Sequence, residues 1–149
     1  GWLSRFMTKT PIFPIPGNGN YSRQPLYVKD FCNIIAECIK KRPVNKIYDI
    51  SGLDKILYID IIKTIKRIKK TKTIILYLPI FLFRILLDIY SLFSKNPPFT
   101  SAQLDALIIP EDFPSNNWEK EFGIQRTNFD DAVQETFLNK KFSNIELEF

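Results

Sequence analysis

Prolines at 11, 14 and 16 and glycines at 17 and 19 prevent any helix from running through the twenty residues after Phe6. A proline ring fixes φ and removes a backbone donor, and glycine readily takes turn conformations, so this stretch reads as extended pieces and turns. Helices and strands further on must pack around that irregular start. The 149 residues suffice for a single domain over 1–149, because a chain of this length buries roughly 68–70% of the surface it exposes when unfolded. A core of that size needs no metal or disulfide staple. With 45% hydrophobic residues and 13 Phe the chain is not a disordered one, and 5 glycines are far too few for collagen.

Downstream, Gln24 to Val28 reads as a short strand, and Asp30 as the cap of a helix carrying Phe31, Ile34, Ile35, Cys38 and Ile39 on one apolar stripe. Lys40, Lys41 and Arg42 sit at its negative end, and Pro43 stops it. Lys46 to Ile50 alternates as a strand, with Ser51 and Gly52 as its turn. A second helix is expected from about Tyr58 to Lys70, with Ile59, Ile62 and Ile65 inward, Ile61 and Ile68 beside them, and Lys63, Lys66, Arg67 and Lys70 outward. Thr73 to Leu78 forms a strand. Pro79 opens a third helix reaching about Leu92, a core helix, which Lys95, Asn96, Pro97 and Pro98 break. Thr100 or Ser101 caps a short helix through Leu107, and Asn116 or Asn117 caps another that contains Trp118 and Phe122 and ends at Gly123. Thr127, with Asp130 three residues on, matches a capping box for a last helix through about Asn139. Short strands among about five or six helices make the expected class α+β.

The absence of histidine removes the commonest general base, the Ser-His-Asp and Cys-His arrangements and nearly every catalytic zinc site. No metal site is expected. Cys32 and Cys38, six apart within one helix, point to different faces and read as buried free thiols, which suits a cytoplasmic protein. The most apolar run, Ile74 to Phe83, is too short to cross a bilayer. Extending it to Phe93 brings in Arg84 and Asp88, each costing about 2.5–3.5 kcal/mol near a membrane centre, so no transmembrane segment is expected.

Charge is unevenly placed. Residues 1 to 110 hold 17 basic and 7 acidic groups, whereas 111 to 149 hold 4 and 9, so the two ends attract each other. Six Lys or Arg between positions 63 and 72 lie on the outer face of an isoleucine-rich helix. With no interleaved aromatic platform for stacking, they read as a solvated face rather than a nucleic-acid interface.

Chemistry concentrates in Phe13-Pro14-Ile15-Pro16-Gly17-Asn18-Gly19-Asn20-Tyr21-Ser22-Arg23-Gln24-Pro25-Leu26-Tyr27-Val28-Lys29-Asp30. Gly17 and Gly19 permit positive φ and close backbone approach, Arg23 offers a planar donor fork, and Asp30 suits a helix start. That arrangement fits an anionic ligand at a loop edge; a surface Arg paired with a carboxylate is the plainer alternative. Tyr27 reads as a packed aromatic. Gly17-Asn18-Gly19 lacks the third glycine and the strand-to-helix setting of a dinucleotide fingerprint.

This run resembles the stretch P-x-x-G-x-G-x-x-x-x-[RQ]-P-[VI]-[YH]-V-x-D of the NAD-dependent epimerase/dehydratase family, the extended and atypical short-chain dehydrogenase/reductases. Lys46 to Gly52, Leu57 to Asp60, Leu76 to Pro79, Pro98 to Leu107, Phe122-Gly123-Ile124, and Asp130 with Ala132 follow in the family's order, so the resemblance covers about residues 11 to 138. It implies the small mixed α/β, substrate-side C-terminal domain of such an enzyme. In the sugar-nucleotide members an arginine of this run contacts the substrate diphosphate, which implies Arg23 as a substrate contact, with Gln24 and Tyr27 beside it and Gly17, Gly19 and Asp30 in structural roles. Gln24-Pro25 stands where those enzymes have Asp-Tyr or Asp-Phe, which points to the atypical branch.

The family also requires a Gly-rich turn for the dinucleotide and a Tyr-x-x-x-Lys pair, in which the lysine lowers the tyrosine pKa. None of Tyr21, Tyr27, Tyr48, Tyr58, Tyr77 and Tyr90 has a lysine four residues later. No catalytic or cofactor-binding residue is therefore expected in this chain. NAD or NADP is implied for the complete protein, together with a small anionic substrate such as a sugar nucleotide. The alternative is a non-catalytic accessory module that docks on a partner chain. Either way, a missing Rossmann half leaves apolar faces for that half or a second copy to cover.

Overall fold

In a computed structural model of the chain, residues 2–42, 45–94, 97, 99–114 and 116–139 are described. The elements are α1 (Trp2–Lys9), β1 (Ile12–Pro16), β2 (Ser22–Arg23), α2 (Val28–Lys41), β3 (Ile56–Leu57), α3 (Tyr58–Lys69), β4 (Ile74–Leu78), α4 (Ile80–Phe93), α5 (Ser101–Ile108), α6 (Trp118–Phe122) and α7 (Phe129–Leu138). This is a small mixed α/β fold. Its first helix, α1, carries no punctuation that announces it; Leu3, Phe6 and Met7 recur at helical spacing and pack under the sheet.

β1 and β4 form a two-stranded parallel sheet in which Phe13 lies opposite Ile75 and Ile15 opposite Tyr77. Strand alternation sends Phe13 and Ile15 to one face, where they meet Met7, Ile59, Ile62, Ile65, Ile68 and Val133. Four isoleucines of α3 at helical spacing thus face inward, as the periodicity requires, and its lysines face out. Thr73 is buried between the segments, and its hydroxyl donates to the carbonyls of Met7 and Thr10, fastening the end of α1 to the start of β4. A second cluster joins Ile34 of α2 to Trp118 and Phe122 of α6.

Local signals act largely where expected. Thr100 and Gln103 form a full capping box on α5, the Asn117 side chain accepts from Lys120 N at 3.2 Å, and Gly123 ends α6 with φ 70°. Several expectations need correction. Gln24 to Val28 is not a strand: Ser22 and Arg23 pair with Leu57 and Ile56, and the chain then turns into α2, because Pro25 has no N–H to offer a ladder. Lys46 to Ile50 is not a strand either. Asp49 exchanges its N–H and carbonyl with Asn116 at 2.8 Å each, one bond through the Asn116 side chain, which replaces ladder partners. Asp30 lies in the first turn of α2 rather than at its cap, which is Tyr27, whose side chain makes no capping bond. The α7 cap is Asn128, whose side chain accepts from Asp130 N, and not Thr127.

α4 is not a core helix. None of its residues is buried: within this chain it packs on α5 through Arg84 to Asp105 (Nη1 to Oδ2, 3.0 Å) and on the loop before α5 through an edge-on Phe83–Phe99 contact at 6.4 Å. The α2 stripe is likewise half open: Ile34 is buried, but Phe31, Ile35 and Ile39 are exposed. Cys32 is exposed and Cys38 half-buried, so the thiols are free but not both interior. Pro43, Lys95, Asn96 and Pro98, the expected helix breakers, lie outside the described residues. No helix among those described is long and apolar enough to cross a membrane.

Candidate functional site

The turn after β1 is held by glycine geometry. Gly17 (φ 63°) donates to Leu78 O at 2.7 Å, and Gly19 (φ 71°) accepts from Ile59 N at 3.1 Å, which seats the start of α3 on the loop. A Cβ at Gly19 would lie 3.1 Å from both Ile15 and Ile59 side chains. Their close approach therefore serves the protein's own core. A dinucleotide pyrophosphate does not fit here, because side chains already fill the space a cradle would leave, and no helix starts on these glycines.

From this turn the three candidate binding side chains diverge. Arg23 points at the carboxyl end of α5: Nη1 donates to Ser22 O and Ile109 O, both at 2.8 Å, Nη2 donates to Ala106 O at 3.4 Å and to Leu107 O, and Nε lies 3.8 Å from Glu111. A cation at the negative end of a helix is well placed, and the guanidinium also sits 5.5 Å from the centre of the Tyr21 ring. Gln24 turns the other way. Its amide donates to Gly52 O and Phe113 O at 3.2 Å and accepts from Phe113 N at 2.6 Å, clasping two loops. Tyr27 goes a third way, donating to Glu135 Oε2 of α7 at 2.6 Å.

Asp30, 5% exposed, accepts from Thr127 N at 2.9 Å and from the Thr127 hydroxyl at 2.7 Å. With Tyr27 it lines a cavity of about 180 Å³ between α2, α6 and α7 that also touches Trp118, Arg126 and Phe137. Partial burial and the Glu135 carboxylate push the Tyr27 phenol up to about 12, and bonds from Lys29 and Tyr27 hold Glu135 below the ordinary glutamate value of 4.5. A depressed carboxylate stabilises the fold fully above its unfolded pKa and loses that contribution as the pH falls through the folded value. Glu135→Gln is therefore expected to lower the melting temperature at neutral pH, with the difference from the parent chain closing as the pH drops below 4.5. A difference that stays constant down to acid pH would mean that the pair does not form.

On the opposite side of the sheet, Pro14 and Pro16 floor an apolar cleft of about 350 Å³ walled by Phe83, Leu87, Tyr90 and Phe99, with Tyr58 at one end. Tyr58 stacks on Tyr21 at 5.1 Å, and burial pushes its phenol up to about 12. Leu107, whose carbonyl Arg23 holds, lines the same cleft, so Arg23 stands one residue behind its wall. Spacing gave no sign of this cleft, since its residues come from five separate elements and a loop. Among the described residues no group of three or more Cys, Asp or Glu can hold a metal ion.

No protein-family model and no curated protein matches the sequence. Solved structures do match the fold. dTDP-glucose 4,6-dehydratase from Bacillus anthracis strain Ames, solved in complex with NAD, superposes with a TM-score of 0.60 at 18% identity over 95% of this chain and 39% of its own. A protein named gox2253 gives 0.60 at 15% identity, over 95% of this chain and 44% of its own. The chain thus shares the fold of a part of these proteins and spans about two fifths of their length.

Proposed function

We propose that this chain is the substrate-side portion of an NAD(P)-dependent, nucleoside-diphosphate-sugar epimerase/dehydratase-like protein, inactive by itself. One observation carries the reading: α4 is mostly apolar yet none of its residues is buried, with Phe81 at 68% and Leu86 at 49% exposed, while the structures that share the fold continue for more than half their length beyond it. A contiguous apolar face of this kind is a docking surface. The nucleotide-binding half belongs on it, and NAD or NADP belongs to that half.

Arg23 is the residue we assign to the substrate's negative group. Its two Nη groups rest on neutral carbonyls, with Nε 3.8 Å from the Glu111 carboxylate, and a hydrogen bond to an ionised acceptor is roughly twice as strong, so a diphosphate reaching the cleft wall displaces Ala106 and Leu107 from the guanidinium. Gln24 and Tyr27 keep the segment in place while that exchange occurs.

Two titrations of the isolated chain test this. NADH is expected to show no saturable binding; tight saturable binding overturns the reading. dTDP-glucose is expected to bind weakly and to lose its binding heat in Arg23→Gln. The second reading, an accessory module, is favoured by the internal satisfaction of Arg23, and it predicts no sugar-nucleotide heat at all. Both readings expect the bare face to self-associate. Sedimentation should show mass rising with concentration, and Leu86→Glu with Ile89→Glu should restore a monomer; a parent chain that stays monomeric counts against either.

A further inference from the structure

Asp30 is a charged side chain almost sealed from water with no cation set against it. The residue is 5% exposed, and its two oxygens accept from Thr127 N at 2.9 Å and from the Thr127 hydroxyl at 2.7 Å, both neutral donors. Among the described residues no Lys or Arg pairs with it. The cations beside it and beside Thr127 in sequence are engaged elsewhere: Lys29 bonds Glu135, and Arg126 donates from Nη1 to Asp54 Oδ1 at 2.7 Å with its Nε 3.9 Å from Glu119. A place in the first turn of α2 sets about half a positive unit charge beside the carboxylate, which leaves about half unmatched. Buried charges are ordinarily paired in full.

Asp30 lines the cavity of about 180 Å³ between α2, α6 and α7. The other polar side chains around it already have partners. Tyr27 donates to Glu135, Trp118 Nε1 to Ser51 O at 3.0 Å and the Thr136 hydroxyl to Ala132 O at 2.7 Å, while Arg126 and Asp54 bond each other. Leu26, Ile56, Phe129, Val133 and Phe137 make the rest of the wall apolar.

This wall selects its guest by charge and by size. Each carboxylate oxygen can accept two hydrogen bonds and each Asp30 oxygen accepts one, so an N–H donor is welcome, and the rings of Trp118, Phe129 and Phe137 favour a positive one. An anion would meet Asp30 and Asp54, with the lining's single cation, Arg126, already between two carboxylates. A cavity of about 150 Å³ holds benzene, so this one has room for a six-membered ring with a short arm.

We propose that the cavity beside Asp30 is a binding site for a small primary ammonium ion carried on one ring or a compact aliphatic body. It shares no lining residue with the apolar cleft, and it stands whatever Arg23 binds. Benzylammonium, benzyl alcohol and benzoate, alike in shape and different in charge, test it on the full chain through the indole N–H resonance of Trp118. Benzylammonium is expected to shift that resonance saturably and to bind at least about tenfold more tightly than benzyl alcohol, with no saturable shift from benzoate. Asp30→Asn should weaken benzylammonium to the level of the alcohol. Ala132→Leu, which adds bulk to the cavity wall and leaves the carboxylate in place, should abolish binding of both, and it decides the location should Asp30→Asn fail to fold. Equal binding of amine and alcohol overturns the proposal, as does a preference for benzoate, the lack of any saturable shift, or binding that survives Ala132→Leu.

Discussion

Gly52→Ala should cost ~3 kcal/mol or more, at the upper end for an overpacked site. Gly52 has no positive φ that would betray its importance, and its constraint is purely one of space. A Cβ there would fall 2.2 Å from Pro25 O, 2.7 Å from Pro25 C and 2.8 Å from Gln24 C, all of them backbone atoms that no rotamer change can move aside. The same approach lets Gly52 N donate to Gln24 O at 3.3 Å. Relief requires the segment carrying Arg23, Gln24 and Tyr27 to shift, so the sugar-nucleotide binding we propose for Arg23 should fail along with stability. Gly123→Ala is the control, because φ there is +70° but nothing lies within 4 Å of the added carbon, and a cost of about 1–2 kcal/mol is expected. Urea midpoints of the two variants check this; equal costs would show that the Pro25 contact is not real.

Trp118→Ala is the second large effect, about 3–5 kcal/mol. The indole is 1% exposed, packs with Ile34 and Phe122, and donates from Nε1 to Ser51 O at 3.0 Å. Truncation removes the hub of the smaller cluster and strands a carbonyl in the loop that Gln24 also grips. Trp118→Phe separates the contributions by keeping most of the apolar bulk while losing the donor, and should cost about 1–3 kcal/mol. Leu86→Ala on the bare face of α4 is the comparison, expected within about 0.5 kcal/mol because that side chain makes little buried contact. A Trp118→Ala loss no greater than that of Leu86→Ala would place the second core elsewhere.

Much of the architecture was legible from local chemistry. The isoleucines of α3 recur at helical spacing, Thr100 and Asn117 are good caps, and Pro79 precedes α4, each signal acting within a turn or two of itself. Expectation failed where a partner distant in the chain outbid the local one. Asp30 looks like a cap, yet its carboxylate is taken by Thr127, 97 residues away, and that same bond removes Thr127 from the capping role its spacing suggested. Gln24 reads as strand, but its amide is consumed by Gly52 and Phe113. The apolar content of α4 implied a core position, but among the described residues nothing buries any of its side chains.

The candidate site divides in the same way. Which residues carry a fork, an amide or a phenol is plain from the chain alone, as are the glycines' turn and the uneven charge, because these depend on residue identity and near neighbours. Where Arg23, Gln24 and Tyr27 point was decided only by packing, since each has an acceptor far along the chain: Ala106 at the end of α5, Phe113 in the loop beyond it and Glu135 of α7, between 83 and 108 positions distant. Hydrogen-bonding capacity is written residue by residue. Its direction is set by whichever distant group the fold brings within about 3 Å, and that is a property of the assembled chain.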